Sequence, residues 1–303
     1  MEEFYYPSKG EGQIHACRWV PEGPVRAVVQ FVHGLSEYVS RYDGFARFLN
    51  EHGLVMVGED HMGHGKSVGK NGTLGWFAGG WDAAVADVHT LYELTRKEFP
   101  GVPYFLMGHS MGSFLARTYL IRYPGTVSAA IIMGTGQQPG YMVAGGKLAA
   151  AIFGKKSGFD KFDATVDNLA FGAYNKPFEP KRTNYDWLSA NPENVDAYIA
   201  DPLCGGQATV GLFRDMLGGI GFISKASNLA QMNMDTPVLF ISGEMDPVGD
   251  LGKGATKAYE SFKKAGVKDV TLKLYPGLRH EILNEKEKDQ VRADILAWVE
   301  KHM

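Results

Sequence analysis

Cysteine is almost absent from this sequence: Cys17 and Cys204 are the only two in 303 residues. Two thiols cannot lace a disulfide framework, and the expectation is that both are buried in a reducing compartment. No run of about 18 apolar residues occurs, which excludes a membrane-spanning helix. The first six residues, Met1-Glu2-Glu3-Phe4-Tyr5-Tyr6, lack the basic stretch and apolar run of a secretory leader, so a cytoplasmic protein is expected. Clustered Lys/Arg is missing too. The 31 basic and 34 acidic side chains leave a formal charge of −3, which argues against nucleic acid or an anionic membrane as a partner. There is no internal repeat and no low-complexity tract. Glycine, by contrast, is plentiful, at 38 residues beside 14 prolines. Together they stay below the roughly 25–30% that marks disorder, so the glycines read as tight turns and close backbone approaches.

The hydrophobic pattern alternates between two kinds of segment. Short apolar runs at Ala27–Val32, Leu54–Val57, Tyr104–Met107, Ala129–Met133, Val238–Ile241 and Val270–Tyr275 read as strands buried on both faces. Residues 12–21 alternate like an edge strand. Helices are expected around Phe45, Phe48 and Leu49, from Gly80 to Phe99, from the elbow described below to Pro124, and around Val291, Ile295, Trp298 and Val299. Strand and helix in turn predict an α/β fold: a mostly parallel central sheet with helices on both faces. The alternation stops between residues 136 and 234, where the sequence reads as short helices, for example around Met142–Phe153 and Val210–Leu217. A structureless loop of that length is implausible in a compact domain. The organisation expected is therefore a core of residues 1–135 and 235–303 with an inserted helical cap, or lid, of residues 136–234.

Sheets of this kind place reactive groups at the carboxyl ends of their strands. His33, Ser110, Asp246 and His280 each follow a predicted strand. Gly108-His109-Ser110-Met111-Gly112 has the spacing G-x-S-x-G between an apolar run and an amphipathic helix. That spacing serves a sharp strand-to-helix turn, with glycines on both sides and the serine lifted clear of the backbone. A serine hydroxyl needs a neighbouring base, and histidine has the pKa for it. On sheets carrying this elbow the chain order is serine, acid, histidine. Only His280 and His302 follow Ser110, and His302 lies in the tail of the last helix, so His280 is the expected base. Asp246, fixed by Pro247 in Gly243-Glu244-Met245-Asp246-Pro247-Val248, is preferred over Glu244 and Asp250 as the acid that holds the imidazole tautomer. The backbone N–H groups of Leu35 and Met111 are expected to receive the oxyanion of a tetrahedral intermediate. His33, Gly34, Glu37 and His109 are expected to support them. His61 and His64 lie near the same edge. No H-x-x-x-H helix pair or nearby cysteine accompanies the histidines, so no metal is expected, and the triad with backbone donors implies no cofactor.

Five segments together resemble the monoacylglycerol lipases and related lysophospholipases of the α/β-hydrolase superfamily. They are His33-Gly34-Leu35-Ser36-Glu37-Tyr38-Val39-Ser40-Arg41-Tyr42, Asp60-His61-Met62-Gly63-His64-Gly65-Lys66-Ser67, the elbow at 108–112, and the loops holding Asp246 and His280. The cap segment Asp201-Pro202-Leu203-Cys204 is similar as well. The resemblance runs from about Val28 to His302. It implies a serine carboxylic-ester hydrolase that cleaves monoacylglycerol or lysophospholipid esters through an acyl-enzyme, with transient contact to a lipid surface. The same family is labelled with serine aminopeptidases, so an amidase or peptidase using the same triad is the alternative. Proline iminopeptidases carry a G-G-P-G segment where this chain has His33-Gly34-Leu35-Ser36, which weighs against it. A dehalogenase or epoxide hydrolase would need aspartate at position 110.

Overall fold

In the computed structural model of the chain, residues 1–68 and 74–303 are described. Eight strands form one sheet: β1 (Glu2–Pro7), β2 (Gln13–Trp19), β3 (Ala27–Val32), β4 (Leu54–Glu59), β5 (Tyr104–His109), β6 (Ala129–Met133), β7 (Val238–Gly243) and β8 (Val270–Tyr275). Their order is β1-β2-β4-β3-β5-β6-β7-β8, parallel from β4 to β8 and antiparallel where β2 meets β1 and β4. Every residue of β3 to β7 is buried, as their unbroken apolar runs require. The expected edge strand at 12–21 is β2, and it lies inside the sheet, because Glu2–Pro7 pairs along its outer side and becomes the edge itself.

Side chains alternate faces along each strand. Val28 and Val32 of β3 enter one core, and Val29 and Phe31 enter the other. The first core is covered by α2 (Gly80–Glu98), α3 (Met111–Arg122) and α9 (Lys253–Ala265), and the second by α1 (Asp43–Glu51) and α10 (Lys288–Lys301). Gln30, the polar residue of β3, is satisfied in the first core. Its amide donates to Val88 O and its carbonyl accepts from the Tyr104 hydroxyl. Between β6 and β7 lie α4 (Gly140–Ser157), α5 (Ala164–Phe171), α6 (Pro192–Ala200), α7 (Val210–Ile223) and α8 (Ala226–Leu229), with no strand among the described residues. Cys17 is buried, whereas Cys204, expected to be buried, is partly exposed on the turn after α6.

Candidate active site

Strand β5 ends at His109, and the next residue turns into α3 with φ +54° and ψ −121°. That residue is Ser110, one of four non-glycine residues at positive φ among those described, and such strain persists only where the surroundings enforce it. The enforcement is steric and polar. A Cβ on Gly112 would sit 2.0 Å from Val32 O, and one on Gly108 would sit 2.3 Å from Gly112 O, so helix and strands touch backbone to backbone. The Ser110 N–H donates to Met133 O (3.0 Å) and Ser113 Oγ donates to Ser110 O (2.5 Å).

Asp246 and His280 meet across the ends of β7 and β8. His280 Nδ1 lies 2.9 Å from Asp246 Oδ2, and both side chains are buried. The other oxygen, Oδ1, accepts the Val248 N–H at 2.9 Å, and Ser242 Oγ donates to Oδ2 at 3.2 Å. The two rival carboxylates, Glu244 and Asp250, point into solvent. Bound to Asp246 through Nδ1, the imidazole turns its other edge to a cavity of about 520 Å³ that Ser110 and His280 line together. Among the described residues no hydrogen bond joins Ser110 Oγ to His280. Unliganded sites of this kind often tighten only when substrate binds.

The turn after β3 reaches the same cavity. A Cβ on Gly34 would lie 2.9 Å from Ser110 Cβ, so only glycine lets the turn come this close to the nucleophile candidate. No protein acceptor engages the N–H of Leu35 or Met111 among the described residues, and both residues line the cavity.

Beneath the turn lies a buried polar cluster. Glu37 accepts from Gly34 N–H (2.6 Å), Arg41 (2.7 Å) and Tyr42 (2.9 Å), and lies 2.9 Å from His109 Nδ1. Arg41 also forks onto Glu281, beside His280, at 2.9 and 3.1 Å. Burial alone would raise the Glu37 carboxyl. His109 and Arg41 overcome that and hold it well below the usual carboxylate range. Burial likewise opposes a charged His109, but Glu37 raises it above its ordinary value. Of the residues expected to support the site, Gly34, Glu37 and His109 thus belong to one buried network. Arg41, Tyr42 and Glu281, to which no role was assigned from sequence, complete it. The only local sign of Arg41 and Tyr42 was their place in the segment 33–42. Nothing local ties Arg41 to a carboxylate 240 positions away.

His33, His61 and His64 take a different part. Their rings pack together, His33 on His61 at 4.0 Å between centroids. His33 Nδ1–H donates to Gly34 O (2.7 Å) and its Nε2 accepts the His61 N–H (2.9 Å), so the ring is neutral. Burial pushes His33 well below its ordinary value, and His61 and His64 to about 4. These are rings that fix backbone.

A mostly parallel sheet flanked on both faces by helices, carrying a strained serine at the tip of a central strand, is the fold of the α/β-hydrolases. A model of the serine aminopeptidase S33 family matches residues 23–287, and the chain belongs to that family. It is 31% identical to a monoacylglycerol lipase of Mycolicibacterium smegmatis, over 94% of this chain and 92% of that one. It is 29% identical to human monoglyceride lipase, over 95% and 88%. A thermostable carboxyl esterase of Bacillus coagulans, solved in complex with glycerol, superposes with a TM-score of 0.92 at 28% identity, covering 99% of this chain and 98% of that one. By this kinship the chain is a serine ester hydrolase.

Proposed function

We propose that the protein cleaves monoacylglycerol-type acyl esters, with Ser110 as nucleophile, His280 as base and Asp246 as orienting acid. The observation that carries the reading is the 2.9 Å Asp246–His280 pair facing, across one cavity, a serine held on a strained elbow. Ser110 Oγ attacks the ester carbonyl while its proton passes to His280 Nε2. The carbonyl oxygen becomes an oxyanion received by the N–H groups of Leu35 and Met111. As the tetrahedral adduct collapses, the C–O bond to the alcohol breaks, and the imidazolium returns its proton to the leaving alkoxide. Water, deprotonated by the same imidazole, then releases the fatty acid and regenerates Ser110. Asp246 holds the tautomer throughout and stabilises the imidazolium.

The substrate class rests on the cavity. Phe114, Phe162, Phe171, Trp187 and Met216 offer an apolar wall for an acyl chain. Toward Glu37, His109 and Glu281 the lining is polar, which suits a hydroxylated alcohol such as glycerol. The relatives named for monoacylglycerol cleavage, and the esterase solved with glycerol, support this choice. Residues 136–234 act as the cap, and the exposed apolar stripe of α4 is the surface that meets lipid.

Ser110→Ala tests the reading. It is expected to abolish cleavage of p-nitrophenyl butyrate and of monooleoylglycerol while the melting temperature stays near that of the wild type. More than a few percent residual activity removes Ser110 from the mechanism. Turnover of aminoacyl anilides faster than of esters would move the enzyme to the amidases.

A further inference from the structure

One residue of the turn is held from the cap rather than from the core. Ser36, directly after the proposed oxyanion donor Leu35, stands at φ +57°, a region that costs a non-glycine residue free energy. Three hydrogen bonds meet on it, all from the far side of the cavity. Its Oγ–H donates to Gly206 O (2.5 Å), and its carbonyl accepts from Gly205 N–H (3.0 Å) and from the Tyr198 hydroxyl (3.1 Å). Gly205 is itself at φ +66°, with the Tyr185 hydroxyl 3.1 Å from where a Cβ would stand, so the donating loop is tightly seated. On the core side the turn has two anchors, Gly34 N–H on Glu37 and Gly34 O on His33. The first acts before the peptide unit that carries the Leu35 N–H, and the second holds that unit by its carbonyl. Nothing on the core side holds the residue after it among the described residues.

Resting on the ester-hydrolase reading above, we infer that the segment 198–206 of the cap completes the oxyanion hole by clamping Ser36, so that the peptide unit of the Leu35 N–H, held by His33 at its carbonyl, is fixed on its far side only while the cap is seated. Ser36 is a positioning residue, not a catalytic one, because it acts through its neighbour's amide. The consequence is a coupling. A displaced cap leaves Ser110, His280 and Asp246 intact but frees one side of one of the two oxyanion donors, so the enzyme is slower whenever its cavity stands open to water. Premature hydrolysis and off-path attack are thereby suppressed without a separate gate.

The test compares wild type, Ser36→Ala and Ser36→Gly with p-nitrophenyl butyrate and with a trifluoromethyl ketone, whose carbonyl adds Ser110 Oγ to give a tetrahedral oxyanion. Values are normalised to sites titrated to completion by a fluorophosphonate, well below the melting temperature, so that loss of folded protein does not count. Expected are a kcat lower by about 10- to 100-fold, a KM changed by less than about 2-fold, and ketone affinity weakened in proportion to kcat. Ser36→Gly, which adopts φ +57° freely, is expected to lose at least as much as Ser36→Ala, since the clamp and not the strain is what matters. An unchanged kcat overturns the inference, as does a lower kcat with unchanged ketone affinity. A wild type that cleaves no ester fails earlier and overturns the reading beneath it.

Discussion

Gly112 shows how little freedom the elbow leaves at the level of one residue. Its missing side chain is the space in which α3 passes β3, with Val32 O and His33 O 2.0 and 2.5 Å from any added Cβ. Both obstacles are backbone atoms, one at the end of a central strand and one just after it, so neither can swing aside as a flexible side chain would. Gly112→Ala must therefore push the helix away from the sheet, and with it the N–H of Met111 and the hydroxyl of Ser110. The expected cost is about 1–3 kcal/mol in stability, by the overpacking of a close-packed core. A loss of activity larger than the fraction unfolded explains should accompany it. Urea denaturation beside fluorophosphonate labelling rates measures both. An alanine variant as stable and as reactive as wild type would show that the contact relaxes freely.

At the level of elements, sequence was informative where one strong pattern dominates. β3 to β7 carry apolar runs long enough to be buried on both faces, and all five were legible, along with the reactive loops at their ends. β1 was not, because Glu2-Glu3-Phe4-Tyr5-Tyr6-Pro7 is mostly exposed and owes its strand to pairing with β2. α9 escaped for another reason: its buried stripe is Gly254, Ala255, Ala258 and Phe262, three small residues and one large, which scarcely registers as hydrophobic periodicity. The order of the proposed triad was read from chain position alone. The clamp on Ser36 and the Arg41–Glu281 pair join segments some 170 and 240 positions apart and leave no local trace.

The antiparallel edge made by β1, β2 and β4 also carries a titration signature. Burial raises Glu59 to about 8, though the Tyr6 hydroxyl opposes it, and raises Asp87 to about 7. His15, which burial alone would lower, is carried to about 10 by Asp60 at 2.8 Å and by the nearby Cys17. All three hold protons in the folded protein that the unfolded chain releases earlier. Their contribution is therefore present at low pH and lost as pH rises toward the folded values. Below about 6.5, His61 and His64, both near 4, act in the opposite sense, because the unfolded chain protonates them first. Above 6.5 that opposition ends. Stability is expected to fall between pH 7 and 8 by at most about 1.4 kcal/mol per unit for each of Glu59 and His15, with the Glu59 share fading toward pH 8. Glu59→Gln, neutral at every pH, should remove its share of the slope. Urea midpoints across that range decide it, and an unaltered slope in the variant would put the proton elsewhere.

For the whole molecule the question is how an ester hydrolase with the proposed acyl-lipid substrate would meet it. Among the described residues no helix is long and apolar enough to cross a membrane. Yet α4 exposes Tyr141 (77%), Leu148 (63%) and Ile152 (56%), spaced so that a turn of 3.6 residues puts all three on one side. Val143, Ala150 and Gly154 occupy the buried side. The helix has no acidic residue and ends in Lys155 and Lys156. It packs on α5, where Leu169 is exposed while Asp167, Asn168 and Phe171 line the cavity, so one helix separates the stripe from the site. A second copy of the chain is a poor fit, since a stable interface engages roughly 20–30 residues a side. An anionic lipid surface fits better: apolar side chains enter the headgroup boundary, and each nearby lysine adds about 1 kcal/mol. The protein is expected to sediment with phosphatidylglycerol vesicles more than with phosphatidylcholine vesicles, and less at high salt. Leu148→Glu with Ile152→Glu should abolish that binding, slow hydrolysis of vesicle-borne monooleoylglycerol, and leave p-nitrophenyl butyrate turnover unchanged, because the stripe touches none of the reacting groups. Equal binding by the double variant, or a concentration-dependent dimer that the variant dissolves, would assign the face to another use.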